Sequence, residues 1–283
     1  MNCSLCGSTK YILRKGNCRD NDTLKICECS ECGLVFLNNF DHIDENFYTD
    51  NGQVKSNNGV KIINTASLID TQRRFDQYSL KLHNKNILDF GCGKGLFLEK
   101  LKNENISANL NSLEINKEYE QSLKEKFNHF SSLEEIKDSS FDIITMFHVL
   151  EHLPDPIDVL NSLFKKLKKG GRIIIEVPSA DDILVKTYNC DAFSKYTYWS
   201  CHLYLYNMHT IKKLIDKTFF SIDYIKQYQR YSLANHLHWL SEGKPGGHLA
   251  FSFLEDTQLN SSYSKKLAEI GQCDTILAEI VKR

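Results

Sequence analysis

The run Ile87-Leu-Asp-Phe-Gly-Cys-Gly-Lys-Gly-Leu96 decides how this chain folds. A short apolar strand ends near Asp89, and Gly91, Gly93 and Gly95 then carry the backbone tightly into a helix. Glycine reaches the positive φ values such a turn needs and lets a ligand approach the backbone. Two glycine-loop patterns fail here. A phosphate-binding loop needs Gly-Lys followed by Ser or Thr, but Lys94 is followed by Gly95. The dinucleotide fingerprint puts its third glycine at the position where this chain has Leu96. The pattern that fits is Asp-x-Gly-x-Gly-x-Gly.

Outward from this loop, strands and helices alternate. Strands are expected at 86–90, 109–115, 141–149, 172–177, 220–228 and 274–281. Helices are expected at 94–102, 117–128, 156–168, 208–218 and 258–270. Alternation of this kind implies a parallel sheet covered by helices on both faces. The expected fold is therefore α/β, a Rossmann-like doubly wound and mostly parallel sheet whose last strand is antiparallel. A small N-terminal zinc ribbon and aromatic substrate-binding insertions complete it.

The loop resembles motif I of class I S-adenosylmethionine-dependent methyltransferases. Leu113-Glu114-Ile115 closes the second strand, downstream of the loop. Phe141-Asp-Ile-Ile-Thr-Met-Phe-His-Val-Leu-Glu-His-Leu-Pro-Asp-Pro156 resembles the strand of small-molecule methyltransferases that runs into Glu-His-Leu-x-x-Pro. Gly170-Gly-Arg-Ile-Ile-Ile-Glu-Val-Pro178 is similar to the glycine-started strand that follows. The resemblance is close over 86–180 and loose over 207–283. It implies S-adenosylmethionine as cofactor, held by Asp89, Gly91, Cys92, Gly93 and Gly95, with Glu114 on the ribose hydroxyls. Glu114 also reads as a solvated helix-start residue. Ile115, Phe130 and Ser131 are expected near the adenine, and Phe147 and His148 near the methionine and its methyl group.

The N-terminus carries a different signal. Six of the ten cysteines lie between Cys3 and Cys32. Cys3-x2-Cys6 and Cys29-x2-Cys32 form two knuckles, one at each end of that stretch. Four thiolates suit a tetrahedral Zn2+ with no open position, a structural metal for a module too short for its own core. Cys27 could replace Cys29, but Cys-x-Cys geometry is poorer, and Cys18 and Cys27 are left over. The expected organisation is a zinc ribbon over 1–40, a helical connector over 41–84 with its periodic stretch from Ile62 to Leu82, and a methyltransferase domain over 85–283. Within that domain, 181–206 and 229–256 are substrate-binding segments.

Composition narrows the partners. The 283 residues are 41% hydrophobic and 25% charged, and 35 basic against 36 acidic residues leave a net charge of −1. This excludes a strongly basic nucleic-acid binder. No apolar run approaches the ~20 residues of a membrane span, and the start lacks a secretory signal. A cytoplasmic protein with a small-molecule substrate is expected.

A cysteine ribbon ending Cys-Gly-Leu-Val-Phe-Leu-Asn38 and joined to this core resembles bacterial methyltransferases of sugar and surface-polysaccharide pathways. That implies methyl transfer to a hydroxyl of a sugar or nucleotide-linked small molecule. C- or N-methylation of a nucleotide-sugar, RNA or protein methylation with the ribbon docking the macromolecule, and a non-enzymatic cofactor-binding adaptor are the alternatives. Tyr196, Tyr198, Trp199, Tyr204 and Tyr206 crowd one stretch and can stack on sugars or bases. Aromatics every second residue also read as one face of a packed cap. Arg230, Tyr231, Asn235, His236, Lys244 and His248 form a second cluster, in which Arg230 or Lys244 can meet a phosphate. A hydroxyl acceptor loses its proton as it attacks, so a histidine base is useful. His202 and His148 are the candidates, while His152 reads as a loop-orienting residue.

Overall fold

A computed structural model describes residues 2–44, 47–48 and 65–283. In chain order the strands are β1 (Tyr11–Leu13), β2 (Ile26–Cys29), β3 (Val35–Leu37), β4 (Ile87–Phe90), β5 (Leu110–Leu113), β6 (Asn128–Phe130), β7 (Phe141–Phe147), β8 (Leu167–Pro178), β9 (Tyr204–Leu205), β10 (Ser221–Tyr228) and β11 (Thr275–Val281). The helices are α1 (Thr65–Leu82), α2 (Leu96–Asn103), α3 (Lys117–Lys126), α4 (Pro156–Lys166), α5 (Ile183–Lys186), α6 (Asp191–Thr197), α7 (Met208–Ile215), α8 (Leu233–Glu242), α9 (Gly247–Ala250) and α10 (Thr257–Glu269).

Seven strands form the main sheet in the order β10-β11-β8-β7-β4-β5-β6. Pairing is parallel from β8 through β7, β4 and β5 to β6, and antiparallel where β11 inserts between β8 and β10. The fold is the α/β Rossmann-like one expected, with its antiparallel last strand. The apolar runs Ile143-Ile144 and Ile173-Ile174-Ile175 are buried because helices cover both faces. Each such side chain is worth ~1.5–3 kcal/mol of burial.

A second, antiparallel sheet has the order β1-β2-β3-β9. Its first three strands come from the cysteine-rich N-terminus, and its fourth is Tyr204–Leu205. Hydrogen bonds from Leu37 N to Leu203 O (3.1 Å) and from Arg19 N to Tyr198 O (2.9 Å) reinforce the join. The Asp20 carboxylate accepts from the Ser200 hydroxyl at 2.7 Å. One continuous core cluster runs from Cys3 and Leu5 through Tyr204 to Ile175.

Several boundaries shift from expectation. The helix expected over 156–168 ends at Lys166, and β8 begins at Leu167 rather than Arg172, with an irregularity in its pairing where β7 passes from Phe141 to Ile143. The helix expected to reach Asn128 stops at Lys126, and Asn128–Phe130 becomes an edge strand too short to announce itself. The 229–256 insertion is helical: the Ser232 side chain caps α8 at one end and Gly243, at φ +65°, closes it. The start of the helical stretch expected from Ile62, positions 62–64, lies outside the described residues. Among the described residues no helix is long and apolar enough to cross a membrane.

Candidate functional site

The glycine loop joins β4 to α2 at the carboxyl end of the main sheet, the edge where open α/β sheets bind ligands. Gly91 N–H donates to Leu113 O at 2.8 Å, which locks the loop onto β5. Gly91 has φ +70°, and a Cβ there would stand 2.6 Å from Val149 Cγ2. Gly93, at φ +53°, faces open space, and a methyl added there would meet nothing within 4 Å. Its N–H donates to Glu114 Oε2 at 2.8 Å, and Asn116 N–H donates to Glu114 Oε1 at 2.9 Å. Glu114 is therefore tied to the loop rather than to solvent alone, and burial raises its pKa. Ile115 beside it is 42% exposed.

Asp89, at the end of β4, is buried and accepts from the Thr145 hydroxyl at 2.6 Å. Burial pushes its carboxyl up to about 6, against the pull of Thr145 and Arg74. Phe147, at the end of β7, stacks on Tyr78 of α1 with centroids 6.0 Å apart, and the Arg74 guanidinium lies 4.6 Å over its ring. Phe130 packs on the edge of the core, and Ser131 N–H donates to Glu135.

His148 takes φ +56°, an uncommon conformation for a side-chain-bearing residue that aims its ring across the strand ends. Its Nδ1 lies 3.3 Å from Glu151 Oε1, and its Nε2 lies 3.1 Å from Glu176 Oε1 and 3.2 Å from Arg230 Nη1. Burial and Arg230 disfavour the charged ring, yet Glu151 and Glu176 outweigh them and raise its pKa. Arg230 itself is paired with Asp70 at 3.1 Å and Asp274 at 3.3 Å. Of the two residues offered as a phosphate partner, Arg230 and Lys244, the first is paired with carboxylates.

Motif spacing does not show the other half of this network. Arg73 Nη2 bonds both oxygens of Glu176, and Arg74 Nη2 reaches Glu176 Oε1 at 2.6 Å. Burial would raise Glu176, but Arg74, His148 and Arg73 hold it well below the usual carboxylate range. The one sequence signal for it is a lone carboxylate inside Ile173-Ile-Ile-Glu-Val177: a charge buried in an apolar strand needs partners.

His202 is half-buried, and its Nδ1 lies 3.0 Å from Thr197 O. A carbonyl can only accept, so Nδ1 carries the proton. Burial, with His152 beside it, pushes the ring down to about 3, so it is neutral at physiological pH and weakly basic. His152 Nδ1 sits 2.6 Å from Cys201 O in the same way. Burial would raise the Glu151 carboxyl, but His148 and the neighbouring histidines hold it down to about 2.

Not all the expected substrate residues face open space. Tyr196 is 46% exposed, packed beside Trp239 with centroids 5.4 Å apart. The Arg19 guanidinium lies 5.9 Å over its ring and 4.3 Å over that of Trp199. Tyr198, Tyr204 and Tyr206, by contrast, are sealed into the seam between cap and ribbon. The Tyr204 hydroxyl donates to Pro154 O at 3.1 Å. These three are corrected from substrate contacts to packing, because β9 needs an apolar face to join the second sheet. Asn235 and His236 point inward from α8: Asn235 Oδ1 accepts from Gly246 N–H, and the His236 ring nitrogens bond Gln229 and Tyr263. Burial lowers His236 to about 4, so it is a neutral structural group. Lys244 and His248 are exposed on the segment after α8. Tyr231 carries Arg230 5.0 Å from its ring centre.

In the N-terminal module, Cys3 and Cys32 Sγ lie 3.6 Å apart and Cys6 and Cys29 Sγ 3.5 Å apart. The four-cysteine group includes Cys29 and leaves out Cys27, and none of the ten cysteines forms a disulfide. Cys18 Sγ donates to Asp20.

Residues 66–225 match a family model described as a methyltransferase domain. The chain belongs to that family. It is a class I S-adenosylmethionine-dependent methyltransferase, and its fold agrees with solved members. A methyltransferase from Archaeoglobus fulgidus superposes with a TM-score of 0.53 at 20% identity, over 77% of this chain and 94% of that one. The plantazolicin methyltransferase BamL, solved with S-adenosylhomocysteine, gives 0.52 at 14% identity over 84% and 93%. Among curated proteins, the mitochondrial ubiquinone biosynthesis O-methyltransferase of Candida albicans is 32% identical over 124 residues, 40% of this methyltransferase and 38% of the relative. The match thus spans well under half of that relative's length.

Proposed function

We propose that this methyltransferase acts on a hydroxyl oxygen of a sugar or nucleotide-linked sugar in surface-polysaccharide synthesis, in the cytoplasm. The observation that carries the acceptor class is the half-exposed Tyr196 ring, flanked by Trp239 and covered by Arg19. An aromatic face beside a guanidinium suits a sugar ring or base attached to phosphate. Tyr231 lies within electrostatic reach of Tyr196 and leads through Arg230 to His148. A phenolic hydroxyl is the second reading, favoured by the O-methyltransferase names of the curated relatives.

S-adenosylmethionine supplies an electrophilic methyl on a sulfonium. The residues present fit such a ligand: Gly93 leaves open space above the loop, and each Glu114 oxygen keeps a lone pair beyond its backbone bond. We assign Asp89, Gly91, Cys92, Gly93 and Gly95 to its methionine end and Glu114 to the ribose. Ile115, Phe130 and Ser131 border the adenine, and Phe147 and His148 border the methyl. His148 serves as the base in its neutral form: Nδ1–H stays on Glu151, Nε2 gives up Arg230 to take the acceptor's proton, and Glu151 and Glu176 stabilise the imidazolium that forms. The four cysteines hold a structural zinc: their 3.5–3.6 Å sulfur spacings are close to the ~3.8 Å of a tetrahedron with ~2.3 Å Zn–S bonds. The proposed organisation is ribbon 1–40, connector 41–84 and methyltransferase domain 85–283.

The test is methyl transfer from S-adenosylmethionine to matched panels of nucleotide-sugars and polyhydroxybenzenes. Turnover on a nucleotide-sugar that falls at least tenfold in Tyr196→Ala, with S-adenosylhomocysteine affinity unchanged, is expected. Turnover only on the phenols would replace the sugar reading.

A further inference from the structure

The geometry points to a second metal site in this protein, built by Glu151, His152 and His202 and suited to a divalent first-row transition ion such as Zn2+. It lies apart from the four cysteines and does not depend on which acceptor is methylated. One ligand atom from each of the three residues lies within 4.8 Å of the other two. Ligand atoms around such an ion stand about 3–3.5 Å apart, given bonds of ~2.1 Å. The set therefore stands within about 2 Å of the spacing of a loaded site.

Three further observations support it. Glu151 is fully buried, and its Oε2 is buried without a hydrogen-bond partner, while Oε1 faces His148. A buried carboxylate oxygen left bare is costly unless something fills the position. Both imidazoles also have the orientation that ligating histidines adopt. Nδ1 of His152 is fixed on Cys201 O and Nδ1 of His202 on Thr197 O, which leaves the Nε2 lone pairs for a cation. The third observation is topological. Glu151 and His152 sit in the turn after β7, and His202 sits just before β9 in the cap. An ion here would pin the cap to the turn after β7, which also carries His148. Its ligands are two nitrogens and one carboxylate, which favours zinc, iron or manganese over calcium or magnesium. Three protein ligands also leave a position open to water or another oxygen donor.

The experiment is titration of the zinc-replete full-length protein with Co2+, followed by binding heat and visible absorption. About one additional equivalent per chain is expected, with weak d–d bands and no thiolate-to-cobalt charge transfer. The same titration on His152→Gln, His202→Gln and Glu151→Gln should lose that equivalent, while the cysteine-bound metal stays. Absence of a further equivalent from the wild type would overturn the proposal, as would its retention in both histidine variants. If the variants do not fold, X-ray absorption of the cobalt-loaded wild type decides: two imidazoles at the added ion support the site, and sulfur or oxygen-only coordination refutes it.

Discussion

Arg73 Nη2 contacts Glu176 Oε1 at 2.8 Å and Oε2 at 2.9 Å, joining α1 to the end of β8 across 103 residues of sequence. Arg74 and His148 share the same carboxylate. Glu176 is completely buried, so its charge is tolerable only with these partners. Replacing Glu176 with Gln leaves two guanidinium groups facing an uncharged amide. Urea unfolding should show a loss of ~3 kcal/mol or more, and a stability within ~0.5 kcal/mol of wild type, the ordinary scatter of surface changes, would contradict the network.

The glycine loop separates steric from ligand effects. Gly91→Ala combines a left-handed φ with a methyl driven into Val149, so it should cost ~2 kcal/mol or more. Gly93→Ala pays only for its φ, ~1 kcal/mol, because its methyl meets open space. Calorimetric titration should nonetheless find S-adenosylhomocysteine weakened in both. Full affinity in Gly93→Ala would move the cofactor away from that opening.

Asp182 gives a pH dependence of known sign. Burial and the nearby Asp274 carboxylate push it up to about 8, with Arg230 pulling the other way, while Leu184 N–H donates to it at 2.8 Å. A carboxyl whose folded pKa lies above its unfolded value of ~3.9 favours the folded state when protonated. Its contribution is full below that unfolded value and is lost as pH rises through about 8. Asp182→Asn keeps the helix-capping oxygen without the charge. Melting curves at pH 5 and pH 9 should therefore converge in the variant, with the gain at pH 9. An unchanged slope would refute the assignment.

Loss of the proposed zinc from the cysteine module should reach the acceptor side. β3 pairs with β9, and Asp20 holds Ser200, so disorder in the ribbon releases the cap. Cys6→Ser is expected to raise the acceptor KM several-fold and lower Tm. S-adenosylhomocysteine affinity should be nearly unchanged, because the glycine loop and Glu114 lie on the main sheet. Equal losses of both affinities would argue that the ribbon supports the whole fold.

Local signals are legible in this sequence and long-range ones are not. The glycine loop, Glu114, the alternation of strands and helices and the two cysteine knuckles each announce themselves within a short stretch. Knuckle spacing selects Cys29 over Cys27, and the group found in the fold agrees with it. Tyr198, Tyr204 and Tyr206 read wrongly as substrate contacts because period-two aromatics look alike whether they face a ligand or a neighbouring sheet. Their burial depends on β3, a strand from the opposite end of the chain. The Arg73–Arg74–Glu176 cluster is likewise invisible to spacing, although a lone glutamate among isoleucines and valines is a sign of it.

The strand exchange between N-terminus and cap also defines what can be inherited as a unit. The segment carrying β1, β2 and β3, moved onto another core, would arrive with an unfilled edge at β3, and a cap moved alone would lose the partner of β9. Ribbon and cap can be recombined only as a pair. Any exchange of these modules must therefore carry 198–206 along with the cysteines.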